Sequence, residues 1–135
     1  MAKQTDLMGL GLSPFLAQRL ADAAGTIIAT GVGATQASAY QIAGTQFLLT
    51  VNGSNSGKAV SLPAVGGANG CLLGDAFIIS SYPDTNGAVT VFAPTGVSIV
   101  ASSSVISGSL GCSILSSQAA TFWPISATTW ISDLV

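Results

Sequence analysis

The chain has 135 residues, a formal net charge of −2, and charged residues at only 6% of its length. This length predicts one domain with a buried core. Its three basic residues argue against a nucleic-acid partner, since phosphate binding relies on clustered lysines and arginines. Average soluble chains are about 25% charged. The composition therefore indicates an exterior of Ser, Thr and Gly, or one buried against other subunits.

Membrane insertion and secretion are not expected from the sequence. Gly, Ser, Thr or Pro interrupts every candidate for an apolar run of about 18 to 20 residues. The amino terminus has no basic start that leads into an apolar stretch and a small-residue cleavage site. We therefore expect a protein that is neither secreted by a standard signal nor membrane-spanning, with no membrane partner.

The first predicted element is a short helix at about residues 13–24. Ser13 supplies an N-cap hydroxyl, Pro14 fits the first helical position, and Gly25 suits a C-terminal cap. Its apolar stripe consists of Leu16, Leu20 and Ala24, flanked by Leu12 and Phe15. A helix this short is marginal alone in water, so it needs a surface to pack on. Residues 1–25 are predicted to be an N-terminal arm, and residues 26–135 a β domain.

After this helix the pattern becomes that of short strands rich in Val, Ile, Thr and aromatic residues. The predicted strands are residues 26–32, 35–42, 46–51, 58–63, 75–80, 88–93, 97–101, 112–116, 120–126 and 128–134. Turn signals such as GGANG, PDTNG and PTG separate them. Alternation predicts Val89 and Val91 on one face of a strand, with Thr90 and Phe92 on the other. We predict an all-β fold, a small β-sandwich or jelly-roll-like barrel preceded by one short N-terminal helix.

No catalytic or metal-binding constellation emerges. Cys71 and Cys112 are far apart in the sequence, which favours two buried thiols. Two cysteines in a chain without His cannot complete the four-ligand shell of a zinc site. Asp75 is better explained as the residue before a strand, and Asp84 as a turn residue. A pair of catalytic carboxylates would need both to face one cleft. A serine nucleophile would need a base, and Lys58 is predicted in a turn. We predict no enzyme activity, no cofactor and no metal.

Aromatic residues near the carboxyl terminus supply the remaining candidates. Phe122, Trp123 and Trp130 are predicted to anchor the core or an oligomer interface. The alternative is a carbohydrate-binding module in which Trp123, Trp130 and Tyr82 stack on a sugar.

Several segments of the chain follow one another in a familiar order. They are Leu62–Pro63 after a strand, Gly74–Asp75 before another, the turn from Pro94 to Gly96, and the closing stretch from Ala120 to Trp130. Their order resembles the small β domain of tailed-bacteriophage head decoration (cement) proteins and head-fibre proteins. The opening residues 5–21 look like the N-terminus of such proteins, so the resemblance covers nearly the whole chain.

The resemblance implies a structural protein of the virion, made in the cytoplasm of the host and located on the outer surface of the phage capsid. Its partners would be the major capsid protein and its own copies, most often as a homotrimer and otherwise as a dimer, with no cofactor. The alternative within the same class is the base of a head or tail fibre, an adhesion protein.

The same reasoning assigns a role to the predicted arm, residues 1–25. It would dock on the capsid shell or on a neighbouring subunit. Its anchors would be Leu7, Met8, Leu10, Leu12, Phe15, Leu16 and Leu20. The alternative is that the helix closes one end of its own β domain.

Overall fold

The computed structural model describes residues 27–31, 33–53, 57–82, 87–101, 104–107 and 109–134. These residues form strands, and there is no helix among them. The strands are β1 (Ile27–Gly31), β2 (Tyr40–Gln41), β3 (Leu48–Gly53), β4 (Ala59–Ser61), β5 (Phe77–Ser81), β6 (Val89–Phe92), β7 (Ser98–Ala101), β8 (Ser104–Ser107), β9 (Cys112–Ile114), β10 (Ala119–Ser126) and β11 (Thr129–Ser132). The described chain is all-β, as its β-branched and aromatic runs predict.

The strands form two mixed sheets. Sheet A has the order β1-β3-β5-β10-β11-β7-β8, and sheet B has the order β2-β4-β6-β9. From β1 to β6 the chain alternates between the sheets, and neighbours within each sheet pair in parallel. Pairing is antiparallel between β5 and β10, β10 and β11, β7 and β8, and β6 and β9. The parallel pairs differ from a jelly roll, in which strands pair antiparallel.

Both sheets contribute side chains to one hydrophobic core. Sheet A supplies Phe77, Phe122 and Trp130, none of which has any exposed surface. The rings of Phe77 and Trp130 lie 5.6 Å apart at an angle of 59°, a tilted contact that aromatic pairs favour. Sheet B supplies Val89 and Val91, both fully buried. The core therefore lies between the two sheets.

The outer side of sheet B carries a second, smaller cluster. Phe92 packs there with Ala39 and Ala59. The side-chain amide of Gln36 donates a 2.6 Å hydrogen bond to the carbonyl of Ala93, which holds the preceding loop against the end of β6. The prediction that Phe92 lies on the opposite face of its strand from the two valines is confirmed.

Two predicted elements need correction. Residues 35–39, predicted as part of a strand, form a turn in which the Ser38 amide donates to the carbonyl of Thr35. Only Tyr40–Gln41 of that run is a strand. Strand β8 (Ser104–Ser107) was not predicted, because its serine-rich sequence gives a weak strand signal.

The turn signals agree well with the structure where it describes them. At PTG, the Val97 amide donates to the carbonyl of Pro94, and Gly96 adopts a φ of 78°. This left-handed conformation is readily accessible to glycine alone. The predicted arm and helix, residues 1–25, lie outside the described residues, as does Asp84 of the PDTNG turn.

Candidate assembly surface

Charge is scarce on the described part of the chain. The charged side chains there are Lys58, Asp75 and Asp133. Lys58 is 4% exposed, half-buried Asp75 lies in a loop, and exposed Asp133 follows the last strand. The surface formed by the described residues is therefore almost uncharged, and the two carboxylates are its principal charges.

Lys58 is held in the interior rather than in an exposed turn, so the prediction from sequence was wrong. Its Nζ atom donates hydrogen bonds to the carbonyls of Tyr82 at 3.2 Å and Gly87 at 3.3 Å. These bonds explain how an ammonium group is accommodated with little exposure, because buried charge requires polar partners. The lysine joins two points of the chain on either side of a loop and has a structural role.

The two carboxylates are also engaged with the backbone. An Asp75 oxygen accepts a 2.9 Å hydrogen bond from the Leu72 amide, which fixes the turn before β5. An Asp133 oxygen accepts a 2.7 Å bond from the Thr121 amide, and this continues the pairing of β10 with the end of β11. Both side chains thus stabilise turns and strand ends.

The three aromatic anchors predicted from sequence fall on two sides of sheet A. Phe122 and Trp130 face the core and are fully buried. Trp123 follows Phe122 on β10 and pairs with Ile131 of β11. Its side chain lies on the other face of the sheet and is half-buried. Because Trp130 has no exposed surface, it offers no face on which a sugar could stack.

The predicted arm anchors are outside the described residues. They are Leu7, Met8, Leu10, Leu12, Phe15, Leu16 and Leu20.

A continuous apolar row crosses the outer face of sheet A. Strand pairing places Trp123 beside Ile131, Ile131 beside Val100, and Val100 beside Val105. Strand alternation separates this row from the core-facing neighbours Phe122, Trp130, Ile99 and Ile106. Val105 is 71% exposed, and the other three are half-buried.

The row continues diagonally to two more strands. Leu48 pairs with Ile78, and both are exposed large apolar side chains. Ile78 in turn pairs with Thr121, which is two residues from Trp123 on the same face of β10. We define the outer apolar band as Leu48, Ile78, Trp123, Ile131, Val100 and Val105.

Uncharged small side chains border the outer apolar band. On one side Thr50 and Ser80 pair across two strands, and their hydroxyls share a 3.0 Å hydrogen bond. On the other side Ser98 pairs with Thr129. An apolar centre with a polar rim is the usual anatomy of a protein–protein interface. Sequence analysis did not find this band, because it depends on which strands are neighbours.

Further apolar side chains are exposed at the ends of the sheets. Leu72 and Leu73 lie in a turn whose Gly74 amide donates to the carbonyl of Pro124, next to exposed Ile125. Leu110 and Leu115 are exposed in the turns that flank β9. Isolated exposed apolar residues are common on protein surfaces and need no special explanation.

The two cysteines are buried thiols, as the sequence predicts. The Sγ atom of Cys71 lies 3.6 Å from the carbonyl of Ala64. Burial raises the pKa of the Cys112 thiol from its ordinary value of 9.0 to about 11. Because the thiolate is the reactive form, this thiol is inert near neutral pH.

The described residues contain no group of three or more His, Cys, Asp or Glu side chains placed to hold a metal ion. No helix in this part of the chain has the length and apolar character needed to cross a membrane.

Comparison with known proteins adds no relative. No protein-family model, curated protein or solved structure matches this chain.

Proposed function

We propose that this chain is a structural protein of a phage virion that binds the outer surface of the capsid as a homo-oligomer, most simply a trimer, and stabilises the head. The observation that carries the proposal is that the described residues form an almost uncharged exterior with large apolar side chains exposed on it. The resemblance in segment order to head decoration proteins supplies the biological setting. The role is structural, and no reaction or cofactor is part of it.

The physics of such a surface suits permanent assembly. Burying Ser, Thr and aliphatic side chains against another protein avoids the large desolvation cost of charged groups. Attachment of several linked copies to a repeating lattice also turns modest single-site affinities into tight binding. An uncharged exterior is unfavourable for a solitary soluble domain, because net and surface charge help to keep monomers apart.

The proposal assigns different roles to the two parts of the chain. The β domain would be a two-sheet sandwich that mediates contacts between copies. The arm, residues 1–25 with its helix at about 13–24, would dock on the capsid shell through its apolar stripe. Asp substitutions at Leu16 and Leu20 would then place charge in that contact.

The proposal is tested with heads assembled from the major capsid protein of the phage that would encode this chain. Wild-type protein should sediment with the heads and saturate at a fixed number of copies. The double variant Leu16→Asp/Leu20→Asp should bind at least about tenfold more weakly, because its charges must be desolvated at the contact. The control Gln18→Asp adds a charge to the same segment off the stripe and should bind like wild type. Failure of the wild-type chain to sediment with heads would refute the capsid role.

A further inference from the structure

We propose that the outer apolar band of sheet A is the surface through which one copy of this chain packs against a second copy. This inference rests on the self-association included in the proposed function, and it names the surface responsible. A face that packs against its own copy forms a two-fold contact, so the inference takes the dimer form of that self-association. The band consists of Leu48, Ile78, Trp123, Ile131, Val100 and Val105.

Strand register, rather than composition, creates the band. Six neighbouring strands of sheet A each place an apolar side chain on the outer face; in their order in the sheet they are β3, β5, β10, β11, β7 and β8. On strands β7 and β8 the alternate residues Ile99 and Ile106 face the core. The outer residues Val100 and Val105 are therefore an additional apolar layer that the chain's own core does not use.

The charge distribution favours a second copy as the occupant. No described residue of the band or of its rim is charged, apart from Asp133, which lies beyond the end of β11 and binds the Thr121 amide. When a surface pairs with itself, each charge meets its own sign or must be desolvated. With Asp133 as its one described charge, this face incurs those costs at a single point, on a carboxylate that already accepts a hydrogen bond from the Thr121 amide.

The size of the face is sufficient for a stable contact. Six strands at about 4.8 Å spacing span about 25 Å, and the band with its rims extends about 25 Å along the strands. The resulting area of about 600 Å² is close to the roughly 800 Å² that each partner buries in a standard interface. Trp123 lies within the band, and tryptophan is enriched among residues that dominate binding energy.

Two substitutions of equally exposed residues test the inference. Val105→Lys places a charge in the band, whereas Leu110→Lys places the same charge in the turn after β8. The two side chains are 71% and 72% exposed, so both variants should fold, and thermal unfolding checks this. Sedimentation equilibrium of the intact chain measures association. Trp123→Ser is a second band variant.

We expect wild type and Leu110→Lys to associate equally. Val105→Lys and Trp123→Ser should weaken association at least about tenfold, since the lysine would be duplicated in a self-contact and the serine removes the largest apolar group. A monomeric wild type, or band variants that associate like wild type, would overturn the inference. Equal dissociation of both lysine variants would also overturn it.

Binding to heads distinguishes this inference from the capsid role. If a monomeric wild-type chain still sediments with heads, the band inference alone fails. If association depends on the band but no variant or wild-type chain sediments with heads, the capsid role alone fails.

Discussion

The ammonium group of Lys58 donates a 3.2 Å hydrogen bond to the backbone carbonyl of Tyr82, although the residues are 24 positions apart in the chain. A second bond reaches the carbonyl of Gly87, so one buried side chain bridges both ends of the loop between β5 and β6. In a chain with three basic residues, one is thus committed to internal structure. This leaves the described exterior without an exposed cation.

Replacing this lysine should destabilise the β domain. Lys58→Met preserves much of the volume but removes the ammonium group and its hydrogen bonds to Tyr82 and Gly87, and we expect a loss of about 1–3 kcal/mol in the free energy of unfolding. Urea titration followed by tryptophan fluorescence measures it. Lys3→Met makes the same change in net charge and should leave the free energy of unfolding within about 0.5 kcal/mol of the wild-type value. Equal stability of Lys58→Met and wild type would show that the bridge contributes nothing.

The two tryptophans should respond differently to truncation. Trp130→Ala empties a fully buried site against Phe77 and should cost about 3–5 kcal/mol. Trp123→Ala removes a half-buried ring from the outer face and should cost about 1 kcal/mol. If Trp130→Ala does not fold, Trp130→Phe provides a milder comparison. Chemical denaturation of both variants at one matched protein concentration measures the two costs, and the reverse order would contradict the assignment of faces.

The buried thiol predicts a loss of stability at alkaline pH. The pKa of Cys112 is about 11 in the folded chain and ordinarily 9.0, so its contribution is complete below pH 9.0 and lost as the pH rises to about 11. By about pH 10.5 wild type should lose on the order of 2 kcal/mol more than Cys112→Ala, relative to about pH 8. Urea unfolding of both proteins at these two pH values measures the difference. Parallel pH profiles would show that the thiol does not ionise differently on unfolding.

Two glycines provide a matched test of a close backbone approach. A Cβ atom at Gly44 would collide with the backbone of Gly70, while one at Gly66 meets open space, although Gly66 has a φ of 78°. Gly66→Ala should therefore cost about 1 kcal/mol, and Gly44→Ala more than about 2 kcal/mol. Thermal unfolding of the two variants tests the difference. Equal melting temperatures would mean that the loop near Gly70 moves freely.

Local patterns in the sequence predict much of the strand content but not its arrangement. The alternation around Val89 and Phe92 identifies the two faces of β6, and most strand runs overlap observed strands. Parallel pairing of β1, β3 and β5 depends on contacts far apart in sequence, so no local pattern specifies it. For the same reason the outer apolar band could not be predicted: Val105 lies on β8, which gives a weak local signal.

The aromatic candidates show the same limit at the level of single residues. Phe122 and Trp123 are adjacent, so one must face away from the core if β10 is regular, but the sequence does not say which one. Pairing with β11 decides it, since Trp123 lies opposite Ile131, and Pro124 lies opposite buried Trp130. A register irregularity between Pro124 and Ser126 follows, and a β-bulge of this kind changes the facing of residues beyond it.

Whether the uncharged exterior is a surface for self-association is tested most directly by the solution mass of the intact chain. Light scattering after size exclusion, at several protein concentrations, should give a trimer or a dimer whose mass does not change on dilution. A stable, soluble monomer at every concentration would contradict assembly through this surface. It would show that an almost uncharged exterior needs no protein partner.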